Sequence, residues 1–194
     1  INDNELEVFF SIIKPSTHLI IIGGGPDSVP VIETALLLGW SVTLIDYRES
    51  YTKAENFPAG INILKSTPDE LEDNIEIYNA DAVVLMTHKF EYDLNYLKVF
   101  IHTSIPYIGL LGPVARKNEI LKSLTGENNI DGRIFGPVGL NIGGELPEEI
   151  AISLIAEIQA VINNRQGGHL SQNEASKDID KLKEKISIVI LAAG

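Results

Sequence analysis

Leu19-Ile20-Ile21-Ile22-Gly23-Gly24-Gly25-Pro26-Asp27-Ser28 is the stretch on which the fold of this chain turns. Four consecutive apolar residues, with no alternation, suit a strand buried on both faces. Three glycines follow at once. Val29, Ile32, Ala35, Leu36 and Leu37 then recur at helical spacing until Gly39 ends the helix. Ser41–Ile45 reads as the next strand and closes at Asp46. A buried strand, a glycine turn, a helix and a second strand ending in an acid make up a dinucleotide-fold unit.

The same alternation continues outward from this unit. Ile61–Leu64 is a short third strand, and Pro68 opens an acidic helical stretch with Leu71, Ile75 and Ile77. Ala82–Met86 is a fourth buried strand, and Tyr92, Leu94, Leu97 and Phe100 or Ile101 mark the helix after it. Tyr107–Leu111 is a fifth strand, followed by a helix from Arg116 to Leu124, a glycine-rich loop from Gly132 to Gly144, and a long helix opening at Pro147. Strands and helices alternating with short connections predict an α/β fold: a doubly wound parallel sheet in a Rossmann-like three-layer sandwich. The expected organisation is a lead-in over 1–15, the Rossmann-like domain over 16–165, a polar linker over 166–185, and the start of a further domain over 186–194. The chain begins at Ile1 and stops just after the strand-like run Ser187–Leu191, which reads as a segment of a longer protein.

Composition narrows the function classes. The 194 residues are 44% hydrophobic, enough for a sizeable core. Fifteen Lys and Arg stand against 27 Asp and Glu, a formal net charge of -12. That balance disfavours nucleic acid and anionic membrane surfaces, both of which are bound through cations. No apolar run is long enough to span a bilayer. The absence of cysteine excludes disulfides, thiolate metal sites and cysteine nucleophiles within these residues, and is consistent with a cytoplasmic location.

Ligands of doubly wound sheets sit at the carboxyl ends of the strands, so the residues just after each strand are the candidates. The first group is Gly23, Gly24, Gly25, Pro26, Asp27 and Ser28. It matches G-x-G-x-x-G/A only in part, with Ser28 at the third small position. Pro26 removes a backbone N–H, and Asp27 puts negative charge where a phosphate would sit. Asp27 reads either as a helix cap or as part of a modified phosphate site. Asp46 is placed to take a ribose hydroxyl. Arg48 reads either as an anion-binding fork or as a surface partner of Asp46 or Glu49. Thr87 and His88 follow the fourth strand; His88 is an acid, base or loop hydrogen-bonder, with Asp93 starting the next helix. Gly109 and Gly112 permit either a close ligand approach or a tight turn. Gly136, Pro137, Gly139 and Asn141 belong to the densest glycine loop, which no G-K-[ST] follows and which is therefore not a P-loop. Glu148 and Glu149 suit the helix dipole. No spacing supports a metal site, and no catalytic set stands out beyond His88. All these loops are expected to share one cleft, with Gly136–Gly144 closing over Gly23–Gly25.

GGGPDSVP, LGWSVTLIDYR, VVLMTHKFEYDL, YIGLLG and GPVGLNIGGELPEEIAISLIAEI together resemble the C-terminal domain of the XdhC/CoxI family, the xanthine dehydrogenase accessory factors, over most of residues 15–170. The resemblance implies a Rossmann-like domain that binds the molybdenum cofactor (a molybdopterin), assists its sulfuration, and hands it to a xanthine dehydrogenase-type molybdoenzyme. It implies an accessory protein rather than an enzyme, with a cysteine desulfurase as a further partner. A homodimer is expected from the resemblance and from the apolar face of the helix opening at Pro147. NAD(P) is the alternative ligand, for an oxidoreductase or a nucleotide-sensing domain. Two positions depart from the family pattern: Pro113 stands where Ser is usual, and Asn141 where Asp is common. The family's cysteine-bearing N-terminal region is not among these residues, and the closing ILAAG is similar to the opening of molybdenum-cofactor nucleotidyltransferases.

Overall fold

A computed structural model describes residues 15–71, 79–124 and 132–172. Residues 16–167 form one compact unit; Pro15 and residues 168–172 fall to a second, of which a 3-10 turn at Leu170–Gln172 is described. The main unit runs β1 (His18–Ile22), α1 (Ser28–Leu37), β2 (Ser41–Asp46), β3 (Asn62–Lys65), α2 (Pro68–Leu71), β4 (Ala82–Leu85), α3 (Phe90–Phe100), β5 (Tyr107–Leu110), α4 (Val114–Ser123), β6 (Ile134–Phe135) and α5 (Pro147–Ile162). All strand pairs are parallel, in the order β3-β2-β1-β4-β5-β6. The Rossmann-like α/β fold expected from the sequence is present.

The unbroken apolar runs have a direct cause in the layering. Leu19, Ile21, Val42, Leu44, Ala82, Val84 and Tyr107 pack against Val31, Ile32 and Ala35 of α1 and Ala151, Leu154, Ile155 and Ile158 of α5. Their neighbours Ile20, Ile22, Ile45, Val83, Leu85, Ile108 and Leu110 pack against α3 and α4 through Tyr96, Leu97, Phe100 and Ile120. Each central strand is thus covered twice, as crossover helices on both faces of a parallel sheet require. The end of α1 is a Schellman turn: Trp40 N–H donates to Ala35 O and Gly39 N–H to Leu36 O.

Several sequence expectations change. The third strand starts one residue later than expected, at Asn62. Met86 and Leu111 stand just past their strands, although their amides still bond to the Ile22 and Leu85 carbonyls of the neighbouring strands. β6 is a strand within what reads as loop; two residues between Gly132 and Gly136 are too few to show a period. The apolar face of α5, one of the grounds for the homodimer expectation beside the resemblance, is buried against α1 and the sheet; Ala151 is 0% exposed and Val161 packs on the same core. The expectations for 1–14, for Ile75 and Ile77, and for the linker and terminal segment beyond 172 lie outside the described residues.

Candidate functional site

The strand order reverses between β1 and β4, so a crevice is expected outside the carboxyl ends of these two strands. Gly23 leaves β1 at φ 118°, and a Cβ there would stand 2.6 Å from the Met86 carbonyl oxygen. Only glycine fits both that conformation and that approach. The turn faces inward. Gly23 N–H donates to Ile45 O at 2.8 Å, Ser28 N–H to Gly25 O at 3.0 Å, and Val29 N–H to Pro26 O at 3.2 Å. Gly24 N–H donates to Asp46 Oδ2 at 2.8 Å.

Asp46 is 0% exposed and accepts four hydrogen bonds. Oδ1 receives the Arg48 backbone N–H at 2.8 Å and Nε–H at 2.9 Å; Oδ2 receives Gly24 N–H and Arg48 Nη2–H at 2.7 Å. A carboxylate offers about four lone-pair sites, so Asp46 is saturated from within. The ion-pair alternative for Arg48 is the one formed, with Asp46 as partner, while Glu49 pairs with Lys65. The hydrogen bond to Asp46 holds the Arg48 guanidinium above its ordinary pKa. The guanidinium also lies 3.8 Å over the Tyr51 ring, and the neighbouring Tyr47 stacks on Tyr92 of α3 at 3.7 Å. Burial raises the Tyr47 phenol's pKa.

The segment after β2 then folds back over the glycine turn. Gly24, Gly25, Pro26 and Val29 on one side, with Ser50, Tyr51, Asn56 and Phe57 on the other, line an open cavity of about 310 Å³. A Cβ on Gly24 would collide with the Tyr51 carbonyl oxygen and reach within 3.2 Å of the Phe57 ring. The sequence reading named none of Ser50, Tyr51, Asn56 or Phe57. They belong to two 3-10 turns (Glu49–Tyr51 and Ala54–Asn56) and an extended residue, which carry no hydrophobic period. The available signal was three aromatic residues, Tyr47, Tyr51 and Phe57, close behind a strand-terminal acid.

The other side of the crevice is a polar chain. Asp27 does not cap α1 with its side chain; its carboxylate meets His88 Nε2 at 2.9 Å. This pair ties the loop after β1 to the loop after β4, and His88 adopts φ 58°, uncommon outside glycine. Thr87 donates its hydroxyl to Asp93 Oδ1, which also accepts the Thr87 N–H. Arg116 of α4 donates to Asp93 Oδ2, and its side chain lies across Gly112. Asp93 is 1% exposed, so the helix-start acid of the sequence reading is a buried junction of β4, α3 and α4.

The remaining candidates are packed elsewhere. Gly109 lies inside β5, where a Cβ would meet Tyr107 and Val138. The Gly136–Gly144 loop leaves β6 on the same edge of the sheet as the first turn, but three strands from β1. It is fastened to α5: Gly139 N–H donates to Glu157 Oε2 at 2.8 Å, and Ser153 Oγ–H to Leu140 O at 2.6 Å. Gly136 abuts Lys117 and Leu110, whereas Pro137 and Asn141 are exposed. Among the described residues, none from this loop lines the cavity at Gly24; Ile142, Gly143 and Gly144 line a separate hollow with Glu149 and Ile152. The described residues contain no group of three or more His, Asp or Glu placed to hold a metal ion. No helix among them is long and apolar enough to cross a membrane.

The model of the XdhC Rossmann domain matches residues 19–158. The chain belongs to the XdhC family. Two curated proteins are similar to it. A probable xanthine dehydrogenase subunit from Bacillus subtilis is 33% identical over 156 residues, covering 80% of this chain and 46% of that protein. The uncharacterized protein YqeB of Escherichia coli is 33% identical over 169 residues, covering 84% of this chain and 30% of that one. Among solved structures, a xanthine dehydrogenase from Bacillus halodurans matches with a TM-score of 0.70 at 30% identity, over 84% of this chain and 46% of that one. The chain thus spans less than half the length of these XdhC relatives.

Proposed function

We propose that this XdhC domain is a cofactor-carrying accessory module, which holds the molybdenum cofactor for a xanthine dehydrogenase-type molybdoenzyme. The supporting observation is a Rossmann crevice whose dinucleotide-recognising groups are occupied by the protein itself. The Gly24 amide and all of Asp46 are engaged internally. Pro26 has no amide proton to offer a pyrophosphate. A cavity nevertheless remains beside the turn. Family membership and the names of the relatives supply the molybdoenzyme context.

The residues present fit the organic part of such a cofactor. Tyr51 and Phe57 offer aromatic surface to a planar heterocycle, and the Asn56 amide and Ser50 hydroxyl offer polar partners for its edge. Arg48 presents its remaining Nη1 edge beside Tyr51. When bound, the cofactor supplies the molybdenum chemistry of the recipient enzyme; the domain's part is to bind, orient and shield it. The test is native mass spectrometry with molybdenum cofactor, NADH and NADPH offered separately. A one-to-one adduct with the molybdenum cofactor alone is expected, with no NADH formed from NAD and purines. A tight NADH adduct with no cofactor adduct would replace this reading by the oxidoreductase one.

A further inference from the structure

We infer that Asp46 and Arg48 form a mutual lock that removes ribose-diol recognition from this Rossmann crevice, with Arg48 the residue that determines specificity. In dinucleotide folds an acid at this position takes the vicinal hydroxyls of a ribose, and a nearby arginine takes a 2′-phosphate. Here the two residues are spaced so that each consumes the other. Both Asp46 oxygens face Arg48, through Nε at 2.9 Å and Nη2 at 2.7 Å, and the Arg48 backbone amide adds a third bond at 2.8 Å. The Gly24 amide takes the fourth acceptor site.

The lock is held from outside as well. Asp46 is 0% exposed, so no water reaches it to be displaced by a hydroxyl. Asp46 holds the Arg48 guanidinium by its N–H edge, while the Tyr51 ring lies over its face, 3.8 Å from the ring centroid, and that ring lines the cavity. A diol entering the cavity would have to break a bidentate, charge-assisted pair to reach the acid, and would leave a buried carboxylate short of donors. A 2′-phosphate would meet an arginine already neutralised by Asp46. The ligand class that remains is a planar heterocycle without a ribose diol, which deepens the cofactor reading and rests on it for the natural ligand.

The test uses nucleosides alone, so its failure is distinct from a failure to bind molybdenum cofactor. Affinities of adenosine and 2′-deoxyadenosine are compared by calorimetry for the wild-type protein, Arg48→Ala and Asp46→Asn, with circular dichroism as the folding control. The wild-type protein should show no preference between the two nucleosides. Arg48→Ala frees the acceptor positions that Nε and Nη2 occupy, while the backbone amide at that position keeps its own. It should therefore favour adenosine by roughly tenfold, the worth of a hydrogen bond to a charged group. Asp46→Asn frees the guanidinium instead and should favour adenosine 2′-phosphate over adenosine by a similar factor. A wild-type preference for adenosine over its deoxy analogue overturns the lock. A folded Arg48→Ala with no diol preference overturns it too. Should Arg48→Ala fail to fold, the Asp46→Asn measurement decides: a gain for the 2′-phosphate supports the lock, and no gain overturns it.

Discussion

At the first glycine loop the Gly24 amide donates to Asp46; at the second the Gly139 amide donates to Glu157, also at 2.8 Å. The carboxylates are satisfied differently. Asp46 is completed by a cation, Arg48, while Glu157 is completed by the Tyr107 phenol, whose O–H donates to the same Oε2. Glycine density in a sequence therefore marks two different situations here. In the second loop Gly139, at φ 102°, lies against Ser153 and Gly144 against Glu149, so these two glycines let the loop approach α5 closely. The first is glycine-rich because the backbone just past β4, at Met86 and Thr87, and the Tyr51 segment crowd it from two sides, yet it still borders a cavity. Backbone that approaches protein this closely leaves few amides for a ligand.

The sharpest way to break this comparison is inside the first loop itself. Gly24 and Gly25 are adjacent, but a Cβ on Gly24 collides with the Tyr51 carbonyl while one on Gly25 meets nothing within 4 Å. Gly24→Val should cost about 3 kcal/mol, since backbone must move to admit it. Gly25→Ala should stay within about 0.5 kcal/mol. Urea unfolding of the two variants measures both. Equal stabilities would mean that the segment over Gly24 yields freely, and that the turn is open rather than filled.

How much of this was legible follows from what each feature depends on. Leu19–Ile22 and Ala82–Leu85 read correctly because burial on both faces leaves an unbroken apolar signature in a single short segment. Asp46 and Arg48 lie two residues apart at a strand end, so their proximity was visible, though not that the pairing uses every oxygen. The Asp27–His88 pair joins residues far apart in sequence; only the β1–β4 adjacency brings them together. The cap alternative for Asp27 failed for the same reason, because a distant imidazole took the carboxylate that local rules offered to the helix. The cavity wall from Ser50 to Phe57 was invisible to periodicity because its turns have none.

The second loop is sharpened through its phenol. Burial, with Glu157 beside it, raises Tyr107 well above the usual pKa of 10.0. A group whose folded pKa is raised contributes stability that is complete below the unfolded value and is lost as pH rises through the folded one. The anchor at Glu157 should therefore weaken above about pH 10, where the unfolded chain begins to release the proton. Tyr107→Phe should lose about 1 kcal/mol at neutral pH, the worth of one hydrogen bond, and then decline less steeply than the wild-type protein in alkali. Tyr47 and Tyr96 are raised as well, so the informative quantity is the difference between the two proteins' stabilities across that range. A constant difference from about pH 8 to about pH 11 would remove the phenol from the anchor.

The smallest effect belongs to the start of α5, where the second loop ends. Glu149 Oε2 accepts the backbone N–H groups of Glu145 at 2.9 Å and Leu146 at 3.1 Å, so the third residue of the helix reaches back to hold the incoming chain. Those two bonds lower the Glu149 pKa below the usual 4.5. The first loop has no such device: α1 carries no acid in its first turn, and Asp27 is turned away to His88. A carboxylate with a depressed folded pKa adds stability above its unfolded value and loses it as pH falls through the folded value. Glu149→Gln keeps an acceptor oxygen but removes the charge that favours the helix N-terminus. It should therefore lower the melting temperature slightly at neutral pH, and the gap from the wild-type protein should begin to close near pH ~4 and shrink as the pH falls through the depressed folded value, below which both side chains are neutral. Because Glu149 is fully exposed to solvent, added salt should shrink the gap at neutral pH as well. A gap that persists unchanged at about pH 3 would assign the effect to side-chain shape, and would leave the two loops alike in lacking a charged clamp at the helix they lead into.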